Sequence, residues 1–285
     1  GSGAATAAGL CFASLGSDTG GSIRFPSTMN GLTGLKPTWG RVSRAGIFAL
    51  AESLDHIGPM TRSALDAAIV LGVIAGADAD DPTAVSLPVA DYAGSIGTGV
   101  RGRRIGVPTN LHGLDSDAQS AFDGAAATLK QAGATLVDVK LPASFDQAGY
   151  DWVPLCGVEA AVAHEATYPA HAKEYGPVLA GLLDLGRGMS AVDLARLQLR
   201  RAALTGALNT LMSSVDVLLM PVMGTAAWSL EAIQKAGRDP DSCKVFFVVS
   251  PTLGESDEEA RERGRRRQAQ RDATPELALA QMGSL

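Results

Sequence analysis

The chain has 285 residues, of which 46% are hydrophobic, 19% charged and only 5% aromatic, and its formal net charge is −6. That length buries a sizeable core, as one large domain or two smaller ones, and the composition is that of a globular α/β protein rather than a disordered, fibrous or disulfide-stapled one. The acidic total argues against nucleic acid or an anionic membrane as partner.

The one basic run, 259–271, follows the acidic stretch 254–260 and reads as a solvated helix face. Cys11, Cys156 and Cys243 are scattered and odd in number, which suits a reducing cytoplasm and small core hydrophobes rather than disulfides. His56, His112, His164 and His171 form no zinc motif, so no metal is expected. No run reaches the length of a membrane span and no charged-then-apolar signal region opens the chain. A soluble cytoplasmic chain is expected.

In chain order, residues 3–15 ("GAATAAGLCFASL") are small and apolar on nearly every side, which predicts a closely packed helix or a helix leading into a strand. "GSDTGGSIRFPS" breaks that periodicity, and "GLTGLKPTWGRVSRAG" (31–46) is again punctuated by Gly and Pro. Together they make a long loop-like stretch of the kind that usually carries function. Helical spacing returns at 63–76, with Ser63 as cap and Asp66 at the third helical position. A polar turn follows. A strand at 103–109, a helix at 117–134 and a strand at 135–142 predict a right-handed parallel strand–helix–strand unit. Much of 155–214 is helical in pattern, and 215–223 ("VDVLLMPVM") reads as a fully buried strand.

The stretch "GSDTGGSIR" (16–24) is where chemistry is expected. Consecutive backbone N–H groups in a glycine-rich turn converge on one concavity and bind an anion, permanent or transient. A serine beside them is able to attack a carbonyl while those donors hold the oxyanion that develops. Ser22 suits this role better than Ser17, because two glycines precede it and open the backbone. A tight turn without chemistry fits the same composition. No G-x-S-x-G elbow is present, so a Ser-His-Asp triad has no motif support, and His56 beside Gly-Pro reads as a structural donor rather than a base.

Residues 1–44, from "GSGAATAAGLCFASLGSDTGGSIR" through "GLTGLKPTWGRVSR", resemble the signature region of the amidase signature hydrolases, and 53–84 continue the likeness without a gap. That family includes aliphatic and aryl amidases, fatty-acid amide hydrolases and the amidase subunit of glutamyl-tRNA amidotransferase. The resemblance is dense over 1–84 and thins toward residue 230. It implies an α/β/α sandwich around a mixed sheet and hydrolysis of a carboxamide by a Ser–cis-Ser–Lys triad, with no cofactor. It puts the nucleophile on Ser22, the oxyanion-hole N–H donors on Thr19, Gly20, Gly21 and Ser22, and loop-bracing roles on Asp18 and Arg24. A small-molecule amide is the expected substrate, because "LDHIGPM" departs from the Asp-Gln form of the tRNA amidotransferase component. Homodimer formation is left open. The acyl pocket is expected within 145–190, where His164 and His171 either line it or pack an ordinary helix pair.

Two triad members have no counterpart. The family's bridging serine falls just before residue 1, with Ser2 matching a later serine of that motif, and the triad lysine belongs still further upstream. Lys36 matches a different family position. An incomplete amidase domain over 1–230 is therefore expected, nearly inactive as it stands, and a non-catalytic fragment or fusion is the alternative. The remaining 231–285 resemble a stretch of the flavin-dependent monooxygenases related to bacterial luciferase, most clearly in "KVFFVVSPTLGESDEEARER", without a complete flavin site. A piece of such a monooxygenase is the third and weakest reading.

Overall fold

The computed structural model describes residues 1–225. The expected second segment, 231–285, lies outside the described residues. The small-residue segment at the start resolves into helix α1 (Ser2–Ala7) leading into strand β1 (Ala13–Ser17). The Thr6 hydroxyl ties the two together, meeting the Ser2 carbonyl at 3.1 Å and the Ser14 hydroxyl at 2.8 Å.

The stretch expected to be loop-like contains two short regular pieces, helix α2 (Arg24–Met29) and strand β2 (Thr33–Gly34). Strand β3 (Ile57–Thr61) then inserts between β1 and β2, giving an antiparallel sheet of order β1-β3-β2. All five β3 residues are buried. Pro59 sits in this central strand, where its missing donor is normally excluded. A strand residue's N–H and C=O face the same neighbour. Pro59 accepts from the Leu35 N–H at 2.9 Å, so the donor it lacks faces β2, whose paired residues have already ended at Gly34.

Helix α3 (Ala64–Ile74) begins where expected. The Ser63 hydroxyl accepts from the Asp66 N–H at 3.1 Å. Leu71 of this helix packs with Val42 and Ile57 into one core cluster, with Leu35 and Tyr92 at its margin. Strand β4 (Arg104–Pro108), helix α4 (Ser116–Gln131) and strand β5 (Thr135–Val139) form the anticipated unit, with Ile105 opposite Leu136 in parallel register. Strand β6 (Val217–Leu218) joins β4 in parallel on the other side, giving the order β5-β4-β6. It is shorter than the apolar run 215–223 suggested and is not fully buried. Val217 is 50% exposed, because β6 has one neighbouring strand among the described residues.

Helix α5 (Phe145–Ala163) starts ten residues before the expected helical stretch and runs through Pro154. With α6 (Pro177–Arg187) it forms a close pair around Ala160, Tyr168 and Leu183, against which Leu50 also packs. His164 is buried in this pair, 4.9 Å from Phe48 and 2.9 Å from the Tyr175 hydroxyl, while His171 is exposed and meets Glu174. Helix α7 (Ala191–Met212) starts on a Ser190 cap and packs on α5. The strands and covering helices make this an α/β protein. No described helix is long and apolar enough to cross a membrane.

Candidate active site

The residues singled out in 16–24 lie at the end of β1. Asp18, fully buried at its side chain, organises the turn. Its carboxylate accepts from the Ile23 and Arg24 N–H groups at 3.2 and 3.3 Å and from the Arg24 guanidinium at 2.9 Å on each oxygen. Burial acts to raise the Asp18 pKa. The Arg24 bonds and charge, with the two N–H donors, outweigh it and hold the carboxyl below its ordinary value. Asp18 and His56 also exchange backbone bonds, at 2.8 and 3.1 Å, which anchors the turn to the residue preceding β3.

The five-residue closure from Asp18 to Ile23 leaves Thr19, Gly20, Gly21 and Ser22 as an arc in which Gly20 and Ser22 are exposed, Thr19 half-buried and Gly21 buried. None of their four N–H groups has an acceptor among the described residues. Ser22 is exposed. Gly21 adopts φ = +141°, a conformation open to glycine, and a Cβ there would lie 2.5 Å from the Phe25 ring. At Gly20 a Cβ would come within 2.6 Å of the Trp152 indole.

Two supports of this arc come from far along the chain. Asp55, also buried, accepts from the Thr19 hydroxyl at 2.5 Å and from the Leu50 and Ala51 N–H groups at 2.8 and 3.1 Å. Trp152 of α5 donates its indole N–H to the Thr19 carbonyl at 3.0 Å. The same helix supplies Glu159, which accepts from the Ser53 N–H and hydroxyl at 2.7 and 2.6 Å, and Arg201 of α7 donates to the Ser53 hydroxyl and carbonyl. Trp152 also lines a cavity of about 180 Å³ between α5 and α7, together with Leu54, Leu155, Leu197 and Leu204. Asp55, Trp152 and Glu159 were not singled out from sequence. Trp152 and Glu159 fall in the segment expected to shape a substrate pocket, and Asp55 lies one residue before His56.

Lys36 and His56 stand near the turn without bonding Ser22. The Lys36 ammonium donates to the Pro37 carbonyl at 3.3 Å. Burial, reinforced by the charge of Arg24, pushes it below the ordinary lysine range. His56 Nδ1 lies 2.6 Å from the Leu54 carbonyl, which only accepts, so that nitrogen carries the proton. Burial and then the Lys36 charge depress its pKa, keeping the imidazole neutral. His56 is thus a brace between Leu54 and Asp18, as its Gly-Pro context suggested. Among the described residues no cluster of three or more His, Cys, Asp or Glu is able to hold a metal ion.

The Amidase family model matches residues 1–254, past residue 230, where the amidase domain was expected to end. The chain is 47% identical over 259 residues to the provisionally named amidase AmiD of Mycobacterium tuberculosis, covering 88% of this chain and 53% of that protein. It is 40% identical over 259 residues to the glutamyl-tRNA(Gln) amidotransferase A-subunit of Trichlorobacter lovleyi, covering 81% and 53%. The crystal structure of the corresponding A-subunit from Thermotoga maritima superposes with a TM-score of 0.71 at 32% identity, over 84% of this chain and 52% of that one. The chain therefore spans about half the length of the relatives it matches. With a match running through both sheets and all seven described α-helices, this chain belongs to the amidase family.

Proposed function

We propose that this chain carries the nucleophile and oxyanion-binding part of a site that hydrolyses a small-molecule carboxamide, with Ser22 as the attacking residue. The observation that supports the reading best is the arc of four consecutive N–H groups, Thr19 to Ser22, with no acceptor among the described residues and an exposed serine at its end. Such donors act when they sit about 2.7–3.1 Å from the position the oxyanion will occupy.

In this reading Ser22 Oγ forms a bond to the amide carbon while its proton passes to a base, and the carbonyl π electrons move onto the oxygen held by the arc. Collapse of the tetrahedral species breaks the C–N bond, and the amine leaves with the proton. Water then attacks the acyl ester by the same route, releasing the carboxylic acid and restoring the serine. Asp18 and Arg24 hold the turn in shape. In the family's mechanism the base is a serine–lysine pair, and among the described residues no lysine or second serine bonds Ser22. The positions of Lys36 and His56, each bonded elsewhere, favour such a pair over a local base. The chemistry calls for no cofactor.

A fluorophosphonate reads this directly. Ser22 Oγ displaces fluoride from phosphorus, forming an O–P bond and releasing its proton to buffer. Slow formation of one adduct, mapped to the peptide bearing Ser22 and absent in Ser22→Ala, is the expected result. Labelling of Ser22→Ala at the rate of the unaltered chain contradicts the assignment. Brisk amide turnover by the chain alone contradicts the missing base.

A further inference from the structure

Each N–H of the arc shares a peptide plane with the preceding carbonyl, and in a trans peptide the two point in opposite directions. The single cis peptide among the described residues is Tyr168–Pro169, so the arc is trans throughout. Fixing a carbonyl on the outer side of the arc therefore aims the next residue's N–H to the inner side. The Asp18 carbonyl is held by the His56 N–H at 3.1 Å, which sets the Thr19 N–H. The Gly21 carbonyl is held by the Phe25 N–H at 2.7 Å, which sets that of Ser22. The Thr19 carbonyl is held by one group from a distant element, the Trp152 indole N–H at 3.0 Å.

We infer that Trp152 is a positioning residue that aims the Gly20 N–H into the oxyanion-binding arc. The inference rests on the proposed role of that arc. A glycine lacks the Cβ that confines φ and ψ, so the Thr19–Gly20 plane, which turns about the Gly20 φ, is free to flip unless held, and it is the plane the indole pins. Packing reinforces the bond. The indole lies where a Gly20 Cβ would come within 2.6 Å of it, so the ring packs directly against Gly20 and leaves no room for a side chain there. Helix α5 is in turn fixed on both sides of Trp152. Asp151 pairs with Arg200 of α7 at 2.6 and 2.8 Å, and Glu159 grips Ser53. The orientation of one donor is therefore set by the seating of α5 against α7, through a Trp152–Thr19 bond that spans 133 residues of sequence.

Trp152→Phe keeps an aromatic ring on Gly20 and removes the N–H. In the full 285-residue chain, the expected result is a displaced Gly20 amide resonance and fluorophosphonate labelling of Ser22 slowed about tenfold, part of the loss that deleting a whole oxyanion donor brings. The melting temperature should stay near that of the unaltered chain, which separates positioning from a general loss of packing. An unmoved Gly20 resonance with an unchanged labelling rate overturns the inference. Should the unaltered chain take no label at Ser22, the proposed function fails, and the Gly20 resonance alone decides the role of Trp152. Should the variant not fold, hydrogen exchange of the Trp152 indole in the unaltered chain decides it. Slow exchange supports the bond to Thr19, and exchange as fast as an exposed indole overturns it.

Discussion

Asp18 accepts four hydrogen bonds at the base of the turn, and its charge is compensated by a guanidinium that is 42% exposed. Its folded pKa lies below the ordinary 3.8, so around and below that value the unfolded chain binds more protons than the folded one. The stability that Asp18 contributes is accordingly complete above 3.8 and is lost as pH falls through the lower folded value. Asp18→Asn should destabilise the chain by about 2–3 kcal/mol at neutral pH, below the full loss for a wholly buried pair because Arg24 reaches water. Melting curves of the two proteins should converge as the pH drops below 4, and a gap that persists there would show that the charge is not the cause. Asp18 and Arg24 were legible in sequence only through the family resemblance, which put loop-bracing roles on both. Asp55 and Trp152 were not, since each meets Thr19 only after the chain has crossed a sheet or a domain's length, and no local pattern records that contact.

Among the elements, α5 and α6 approach so closely that a Cβ on Gly186 would land on the Gly157 carbonyl. Gly181, on the same helix α6, faces open space. Alanine should therefore act with opposite signs at the two positions. Gly186→Ala forces the pair apart and should cost about 3 kcal/mol, at the upper end for overpacking. Gly181→Ala should add up to about 1 kcal/mol through helix propensity. Urea unfolding of both variants checks this, and equal effects would mean that the contact between the helices does not govern the pair. The helix α3 and the unit β4–α4–β5 were legible because caps and periodicity are local. Strand β3 was not, since Gly58-Pro59 imitates a turn signal while burial on both faces erases alternation. The start of α5 was misplaced because Pro154 reads as a break, and tertiary packing on α6 and α7 carries the helix through it.

At the scale of the whole molecule, the described residues present two three-stranded sheets, with the serine turn at the end of the antiparallel one and α5 reaching across to it. The family was legible from the density of matching residues over 1–84. The mechanical links between the turn and the helices were not, because they are distances rather than motifs. The relatives are roughly twice as long, and the chain covers 53% of each. The central claim concerns Ser22 and the arc around it, and a crystal structure of the chain after reaction with a fluorophosphonate tests it most directly. The expected result is phosphorus bonded to Ser22 Oγ, with the phosphoryl oxygen about 2.7–3.1 Å from at least two of the N–H groups of Thr19, Gly20, Gly21 and Ser22. Phosphorus on any other residue, or a phosphoryl oxygen turned away from the arc, would contradict it.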